Sequence, residues 1–278
     1  MTSESRKRNL FYNRLGIGVS RYLTVFTAVL FCSILLFLFY HGAANLSLKF
    51  FFSHPENLGR SGGIFPIIIS TALLCAVALF IAVPLGIGTA VFLTEYTREG
   101  WLTMIIRFGS ECLAGIPSII FGLFGFALFV VTLKMGWCIL SGGLTLAFMV
   151  LPTIIRTSEE AIKSVPRQLR ELGFSLGATK SQVISKIVLP QARNGILTGI
   201  ILSLGRAIGE TACVIFTTGV SIEMPRSLFQ SARSMSVHFY ILAREGISME
   251  MAYTTALVLV SLILLVNLFA TFLVSRKR

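Results

Sequence analysis

Charged residues are scarce in this sequence, and that scarcity is the first limit on what the chain can be. Only 13% of its 278 residues are Asp, Glu, Lys or Arg, against 55% hydrophobic residues, and the mean hydropathy is +0.83. A soluble domain of this length needs many more charges to cover its surface. The composition therefore excludes an ordinary soluble globular protein and indicates one surrounded largely by lipid.

Metal-ligating and catalytic residues are also few, and their spacing does not form a site. The five cysteines are odd in number and lie mostly within or beside apolar segments, so we interpret them as small buried hydrophobes. His41, His54 and His238 have no partner at a ligand spacing. We therefore predict no catalytic residue, no metal site and no cofactor bound by this chain.

A phosphate-binding loop for ATP is missing as well. No segment matches the pattern G-x-x-x-x-G-K-[ST], and the most similar one, residues 177–181, lacks the glycine required before Lys180. We expect that this chain does not hydrolyse ATP, so that the energy for any transport comes from other chains.

Long apolar runs are what the sequence does contain. A spanning helix needs roughly 20 mostly apolar residues, and the runs predict an all-α membrane protein of six transmembrane helices. We expect residues 1–20 to be a basic cytoplasmic N-terminal arm, residues 21–60 the first helix with an external loop, and residues 61–278 the core domain. The predicted helices lie near residues 22–40, 67–93, 109–132, 138–157, 194–219 and 251–274.

The net charge of +12 is unevenly distributed along the chain. With both termini inside, most of the 24 lysines and arginines fall on the inner side. An excess of Lys and Arg on the cytoplasmic side sets orientation. The pattern predicts a multi-pass protein of the cytoplasmic (inner) membrane with cytoplasmic N- and C-termini, and it argues against nucleic-acid binding. The six that fall outside are Lys49, Arg60, Lys134, Arg226, Arg233 and Arg244.

Residues 158–193, here called the polar loop, separate the fourth and fifth predicted spans. Residues 168–176 have the spacing of a short amphipathic helix, and Gly177 permits the turn that ends it. A second apolar stripe follows at helical spacing, and we expect Pro190 to break the chain before the fifth span. The pattern predicts a helix–turn–helix, but periodicity does not choose between packing on its own bundle and docking a partner.

The order of residues in the polar loop resembles the EAA loop of ABC importer permeases. That pattern is E-A-A, three residues, Gly, nine residues, I-x-L-P, and residues 171–190 read E-L-G, three residues, Gly, nine residues, I-V-L-P. The resemblance implies a type I ABC importer permease of MetI-like architecture, whose coupling loop sits in a cleft of an ATPase subunit. The docking positions that it implies are Glu171, Gly177, Ile187, Leu189 and Pro190.

Two further segments are similar to the phosphate permeases within that family. One runs from Gly115 through Pro117 to Gly122, and the other is the run R-A-I-G-E-T at residues 206–211. The resemblance covers about residues 60–275, and residues 235–240 look more like the A-type than the C-type permease subunit. It implies that Gly115, Pro117 and Gly122 break a helix and shape the pore.

Arg206 and Glu210 are the two charges within the fifth predicted span. A charge at the centre of a membrane helix costs about 2.5–3.5 kcal/mol, so such residues usually face a cavity or a partner. Residues four apart share one face of a helix. The two could form a structural ion pair, or Arg206 could attract or gate an anion, since its planar guanidinium matches phosphate oxygens.

The resemblance implies a set of partners and a reaction. They are ATPase subunits that bind ATP and Mg²⁺, a sister permease, an external phosphate-binding protein, inorganic phosphate and membrane lipid. Import would proceed by alternating access, with Arg206 and Glu210 on the path or gate. Two alternatives stay open: a permease for another oxyanion such as molybdate or sulfate, and a membrane scaffold or sensor whose polar loop docks a cytosolic partner.

Overall fold

The apolar runs form long helices in the computed structural model, which describes the backbone of residues 3–275 and the side chains of residues 16–269, 271 and 272. Several helices end in a π-helical turn, in which the backbone bonds are one residue longer than in an α-helix. These turns are Phe92–Tyr96, Phe126–Thr132 and Ile184–Val188. The helices are α1 Ser3–Gly42, α2 Leu48–Phe52, α3 Phe65–Val91, α4 Trp101–Gly115, α5 Ser118–Gly125, α6 Ile139–Lys163, α7 Arg167–Ser175, α8 Lys180–Val183, α9 Leu189–Gly209, α10 Ala212–Thr217, α11 Met235–Arg244 and α12 Met249–Ser275.

Five stretches of the described residues are long and apolar enough to cross a membrane, and α4 with α5 makes a sixth if the bent pair is one span. The start predicted for the third span, residue 109, lies too far along the chain. The structure begins it at Trp101 and bends it by 102° between Gly115 and Ser118. The fourth span continues as helix α6 to Lys163, so the first residues of the polar loop are part of this helix.

The N-terminal arm expected at residues 1–20 is not set apart in the backbone. Helix α1 runs unbroken from Ser3 to Gly42, so its first residues continue directly into the apolar part. Contacts hold its far end to α12, where the rings of Phe37 and Tyr253 lie 5.7 Å apart. The expected external loop follows and contains α2 and a small ladder, in which β1 (Pro55–Glu56) pairs antiparallel with β2 (Ser61–Gly62).

Two hydrophobic clusters hold the bundle together. The larger one joins α3 and α6 to α11 and α12, around fully buried side chains such as Leu74, Leu146 and Val237. The second, here called the loop cluster, lies beneath the polar loop and joins it to the ends of α3 and α6. Its buried members are Ala90, Ala161, Ile162, Val165, Val183, Val188, Ala192 and Ile196.

Small residues set the register between α6 and α9, which run antiparallel. A Cβ added at Gly195 would lie 2.5 Å from the Cβ of Ala161, and one added at Gly199 would collide with Thr157. The G-x-x-x-G spacing of α9 therefore serves contact within this chain. Continuing the register along both helices puts Arg206 level with Val150, near the middle of α6.

Candidate functional site

The polar loop contains the helix–turn–helix predicted from its sequence, formed by α7 and α8. Gly177 ends α7 at φ +81°, a conformation in which glycine avoids the clash that a Cβ would make. Its N–H donates to the carbonyl of Phe174 and the Ala178 N–H to that of Gly173, which is the Schellman arrangement. Thr179 then caps α8 by accepting from the backbone N–H of Gln182.

The glycine that replaces the second alanine of the EAA pattern is a packing position. Gly173 is buried against α8 and the π turn after it, and a Cβ there would lie 2.7 Å from Cδ1 of Ile187 and 3.0 Å from Cγ2 of Val183. Ile187 and Leu189 are half-buried beside the loop cluster. These two predicted docking residues therefore shape the polar loop from inside.

The break expected at Pro190 is wrong. Helix α8, the π turn Ile184–Val188 and α9 form one continuous helical stretch, Lys180–Gly209, of 30 residues. A proline ring clashes with the carbonyl four residues earlier in a regular α-helix. The wider π turn immediately before Pro190 changes that local geometry, and the proline sits in the first turn of α9, where its missing N–H costs least.

Arg170 fastens the polar loop to the bundle. Its Nη2 lies 2.8 Å and its Nε 3.1 Å from Oε1 of Glu95, and further N–H groups donate to the carbonyls of Ile162 and Val165 at the end of α6. The two side chains are only 17% and 11% exposed. Removing the charge of Glu95 would cost Arg170 its ionic partner but leave its guanidinium bonded to the two carbonyls.

A second set of charges at the same end of the bundle ties α4 to α6. Oε1 of Glu159 lies 2.8 Å from Nε of Arg107 and 2.7 Å from Nζ of Lys163. Glu99 is a weaker member, 3.8 Å from Arg107 and 89% exposed. The buried carboxylate is thus neutralised by two cations, and a cavity of 370 Å³ opens beside it between α4 and α6.

Glu171 makes none of these contacts, although it lies beside them. It is exposed and lines an open cleft of 590 Å³ whose lining also includes Glu95, Arg107 and Arg170. No described residue donates a hydrogen bond to its carboxylate. Gly177 and Pro190 are exposed as well. Three of the five predicted docking positions therefore lie on the surface of the polar loop, where another protein could reach them.

The structural ion pair, one of the two interpretations of Arg206 and Glu210, does not form. Helix α9 ends at Gly209, and Glu210 has an extended conformation with ψ 128°, so the two residues do not share a helix face. The break is stabilised from outside the span, because Ser236 of α11 donates its hydroxyl to the carbonyl of Glu210. Neither charged side chain has a hydrogen-bond or ion-pair partner among the described residues.

Arg206 instead lies on the uncovered face of α9. Thr198, Leu202 and Arg206 follow one another at intervals of four residues, and all three are exposed. The adjoining face, which includes Ser203 and Ala207 about 100° further around the helix, is buried against the bundle. The arginine is therefore presented to whatever lies beside the end of α9, at the level of the middle of α6.

The break predicted around Gly115 and Pro117 is present between α4 and α5. Gly115 ends α4, and Pro117 precedes the first residue of α5. Gly122 brings α5 close to α10, since a Cβ there would lie 2.9 Å from the carbonyl oxygen of Ala212. Gly125 makes a similarly close approach to Thr145 of α6. Both helix breaks, at residues 116–117 and at Glu210, therefore lie near the mid-depth of α6.

Comparison of the sequence with models of protein families shows which family the chain belongs to. Residues 82–278, which include α4 to α12, match the model described as binding-protein-dependent transport system inner membrane component. The chain belongs to this family. It is a multi-pass inner-membrane permease subunit of the ABC importers.

Individual relatives place this permease more closely, among those of PstA type. It is 33% identical over 278 residues to the phosphate transport system permease protein PstA of Pasteurella multocida, covering 95% of each chain. It is 34% identical over 230 residues to PstA 1 of Mycobacterium tuberculosis strain H37Rv, covering 81% of this chain and 74% of the relative. A probable ABC transporter permease of Bacillus subtilis, YqgI, is 29% identical over 94% of each chain.

Solved structures confirm the type I importer fold of the permease. A bacterial alginate ABC transporter matches with a TM-score of 0.69 at 17% identity, over 99% of this chain and 97% of the other. The MetNI methionine ABC transporter in an inward-facing conformation matches with a TM-score of 0.62 at 21% identity, over 76% and 94%. At these identities the likeness shows the fold alone.

A buried cation that the sequence did not single out lies at the end of the permease opposite the polar loop. Arg233 is 8% exposed and donates from Nε to the carbonyl of Val220, 2.9 Å away. Its Nη1 lies 3.4 Å from Nδ1 of His238. Burial, and secondly the Arg233 charge, lower the pKa of His238 from 6.5 to about 3. The neutral imidazole can therefore accept a hydrogen bond from the guanidinium.

Proposed function

We propose that this permease moves inorganic phosphate into the cell as one membrane subunit of an ATP-driven importer. The observation that carries the proposal is the position of Arg206. It is exposed near the end of α9, level with the middle of α6 and beside a helix break, and it has no ionic partner among the described residues. The names of the PstA relatives support phosphate as the substrate. A planar guanidinium offers paired donors to the oxygens of such an anion.

The exposed face of α9 requires something beside it other than lipid. A charge placed in hydrocarbon costs about 2.5–3.5 kcal/mol on insertion scales, so Arg206 must meet water, an anion or another chain. A sister permease, PstC-like, would form the other wall of the pore. Transporter sites are commonly built where spanning helices are interrupted near the bilayer midplane, and both breaks of this chain lie at that depth.

The polar loop would receive the driving force. We place it in the cytoplasm together with both termini, docked on PstB-like ATPase subunits that bind ATP and Mg²⁺. Glu171, Gly177 and Pro190 would line the docking surface, while Ile187 and Leu189 support it from inside. A PstS-like binding protein would deliver phosphate at the opposite end. This chain would bind no cofactor of its own.

The continuous helix Lys180–Gly209 connects these two regions. At 1.5 Å per residue it is about 45 Å long. One of its ends belongs to the polar loop and the other carries Arg206. Closure of the ATPase subunits on ATP would displace the polar loop and tilt this helix, which would move Arg206 relative to the break at Glu210 and so alternate access to the anion.

Uptake by the reconstituted complex tests the proposal. The permease, its sister chain and the ATPase are placed in proteoliposomes with ATP inside and with the binding protein and labelled phosphate outside. We expect ATP-dependent accumulation of label that unlabelled phosphate competes away and that sulfate and molybdate do not. Competition by sulfate or molybdate at equal concentration would favour another oxyanion.

The scaffold alternative is tested by purification of the membrane complex. We expect the ATPase to co-purify with the wild-type permease and to be lost when residues 167–190 are replaced by a flexible linker. A permease that retains the ATPase without the polar loop, or that never binds one, would contradict the docking role.

A further inference from the structure

The two helices of the polar loop both reach the same short element, the π turn Phe92–Tyr96 at the end of α3. Arg170 of α7 binds Glu95 of this turn through Nε and Nη2. Lys180, the first residue of α8, lies with Nζ 5.0 Å from the centroid of the Tyr96 ring. The contacts come from opposite sides of the Gly177 turn, so the polar loop holds the end of α3 at two points.

Arg170 is the stronger of these two attachments. Besides binding Glu95, its guanidinium donates hydrogen bonds to the carbonyls of Ile162 and Val165. These carbonyls lie at the end of α6, where a helix has no further backbone N–H groups to bond them. One side chain thus joins α7 to the ends of two spans. Both charged partners are largely shielded from water, so salt screens their attraction less than it screens a surface pair.

Neighbouring residues of α7 face in different directions. Glu171 is exposed and has no partner among the described residues, whereas Arg170 points into the bundle. Consecutive residues of a helix are about 100° apart around its axis. A protein that holds α7 by its outer face therefore cannot displace it without pulling on Arg170 and the carboxylate that Arg170 binds.

We infer that Arg170 is a positioning residue that transmits movement of the polar loop to α3 through Glu95. The inference rests on the proposed function, since it concerns how ATP hydrolysis elsewhere is converted into transport here. It adds a second route beside the continuous helix that carries Arg206. In this arrangement α3 and α9 move together because one loop holds both.

The test measures phosphate moved per ATP hydrolysed in reconstituted complexes. The variants are Arg170→Gln, Arg170→Lys, Glu95→Gln and the double variant Glu95→Gln/Arg170→Gln. Glu99→Gln is the matched control, because Glu99 is an acidic residue at the same end of the bundle but 89% exposed and 3.8 Å from its cation. Co-purification of the ATPase is measured for every variant.

We expect Arg170→Gln and Glu95→Gln to keep the ATPase bound and hydrolysing while transport per ATP falls about tenfold. Arg170→Lys should be intermediate, because a single ammonium cannot serve Glu95 and two carbonyls in the geometry of the guanidinium. The double variant should be no worse than either single one, as expected when two residues act through one contact. Glu99→Gln should match wild type.

Other outcomes contradict the inference. Transport per ATP that stays at the wild-type value in both single variants would show that the pair transmits nothing. A loss of transport strictly in proportion to lost ATPase binding would assign the pair a structural role only. If Arg170→Gln does not assemble, Glu95→Gln, which keeps the shape and an acceptor oxygen, decides the question.

The wild-type complex separates this inference from the proposed function. A wild-type complex that moves no phosphate contradicts the proposed function itself. A wild-type complex that couples hydrolysis to phosphate uptake, beside an Arg170→Gln complex that couples equally well, contradicts only the role of Arg170.

Discussion

The charges at the polar-loop end of the bundle and the charges at mid-depth differ in how they are satisfied. Glu95, Glu159 and Arg170 are each buried and held by a partner within this chain. Arg206 and Glu210 have no such partner among the described residues. The first region is complete in a single chain, whereas the second is completed only by something outside it. Charges within a membrane protein are tolerated when paired, so the unpaired arginine is the place where we propose that function requires another molecule.

The largest effect should come from the unpaired charge. Replacing Arg206 by Ala removes the guanidinium and its hydrogen-bond donors, and we expect phosphate uptake to fall by about two orders of magnitude. Assembly with the sister chain and the ATPase should persist, because this side chain has no hydrogen bond or ion pair with the described residues. Leu202→Ala, one turn earlier on the same exposed face, serves as the control and should transport normally. Wild-type uptake by an assembled Arg206→Ala complex would remove the arginine from the path.

The exposed acidic residue of the polar loop should come next. Glu171→Lys reverses a charge that no described partner holds, so we expect the permease to fold normally and to bind the ATPase about tenfold more weakly. Affinity is measured by co-purification over a range of salt concentrations. Gln168→Lys places a lysine at another exposed position of α7, where it replaces a neutral residue, and should weaken binding by much less than half as much. Equal losses in both variants would indicate a general charge effect in place of a docking contact.

A smaller effect is expected at the turn between α7 and α8. Gly177→Ala forces a Cβ into a left-handed conformation and should cost the polar loop about 1–2 kcal/mol. No atom lies within 4 Å of the added carbon, so the cost is conformational and not a clash. We expect weaker ATPase binding and faster proteolysis at this turn. Gly88→Ala, at a helical glycine that also has open space, should leave both unchanged.

The smallest effect concerns acid stability at the end opposite the polar loop. His238 has a pKa of about 3 in the folded chain, below its ordinary value of 6.5. Its contribution to stability is therefore fully present above pH 6.5 and is lost as the pH falls below that value. Between pH 7 and pH 5.5 we expect a loss of about 1.3 kcal/mol in the free energy of unfolding. His238→Gln should show a smaller acid-induced fall in melting temperature; an unchanged fall would locate the titration elsewhere.

Local sequence features predicted the polar loop well. Amphipathic spacing, the glycine at 177 and the threonine at 179 each act through bonds to near neighbours, so the helix–turn–helix follows from them. The pairing of Arg170 with Glu95 could not be predicted from local spacing, because 75 residues separate the two charges and only the tertiary fold brings them together.

Helix breaks were predicted less reliably, because each proline acts within a different surrounding. Pro117 ends a helix, whereas Pro84 and Pro152 lie inside unbroken ones and Pro190 follows a π turn that accommodates it. The break at Glu210 involves no proline at all. It is stabilised by a hydroxyl from Ser236, 26 residues further along the chain. The spacing of Arg206 and Glu210 alone favoured a continuous helix, and for that reason it suggested an ion pair that does not exist.

The close contact of Gly195 and Gly199 with α6 turns the long helix Lys180–Gly209 into a lever with a fulcrum. From this contact the arm to Lys180 is about 25 Å and the arm to Arg206 about 14 Å, at 1.5 Å per residue. A sideways displacement of the polar loop is therefore roughly halved at the arginine and reversed in direction. Under the proposed function, a large movement at the ATPase would become a small, oppositely directed movement of Arg206, which suits a step that must shift one guanidinium without opening the bundle.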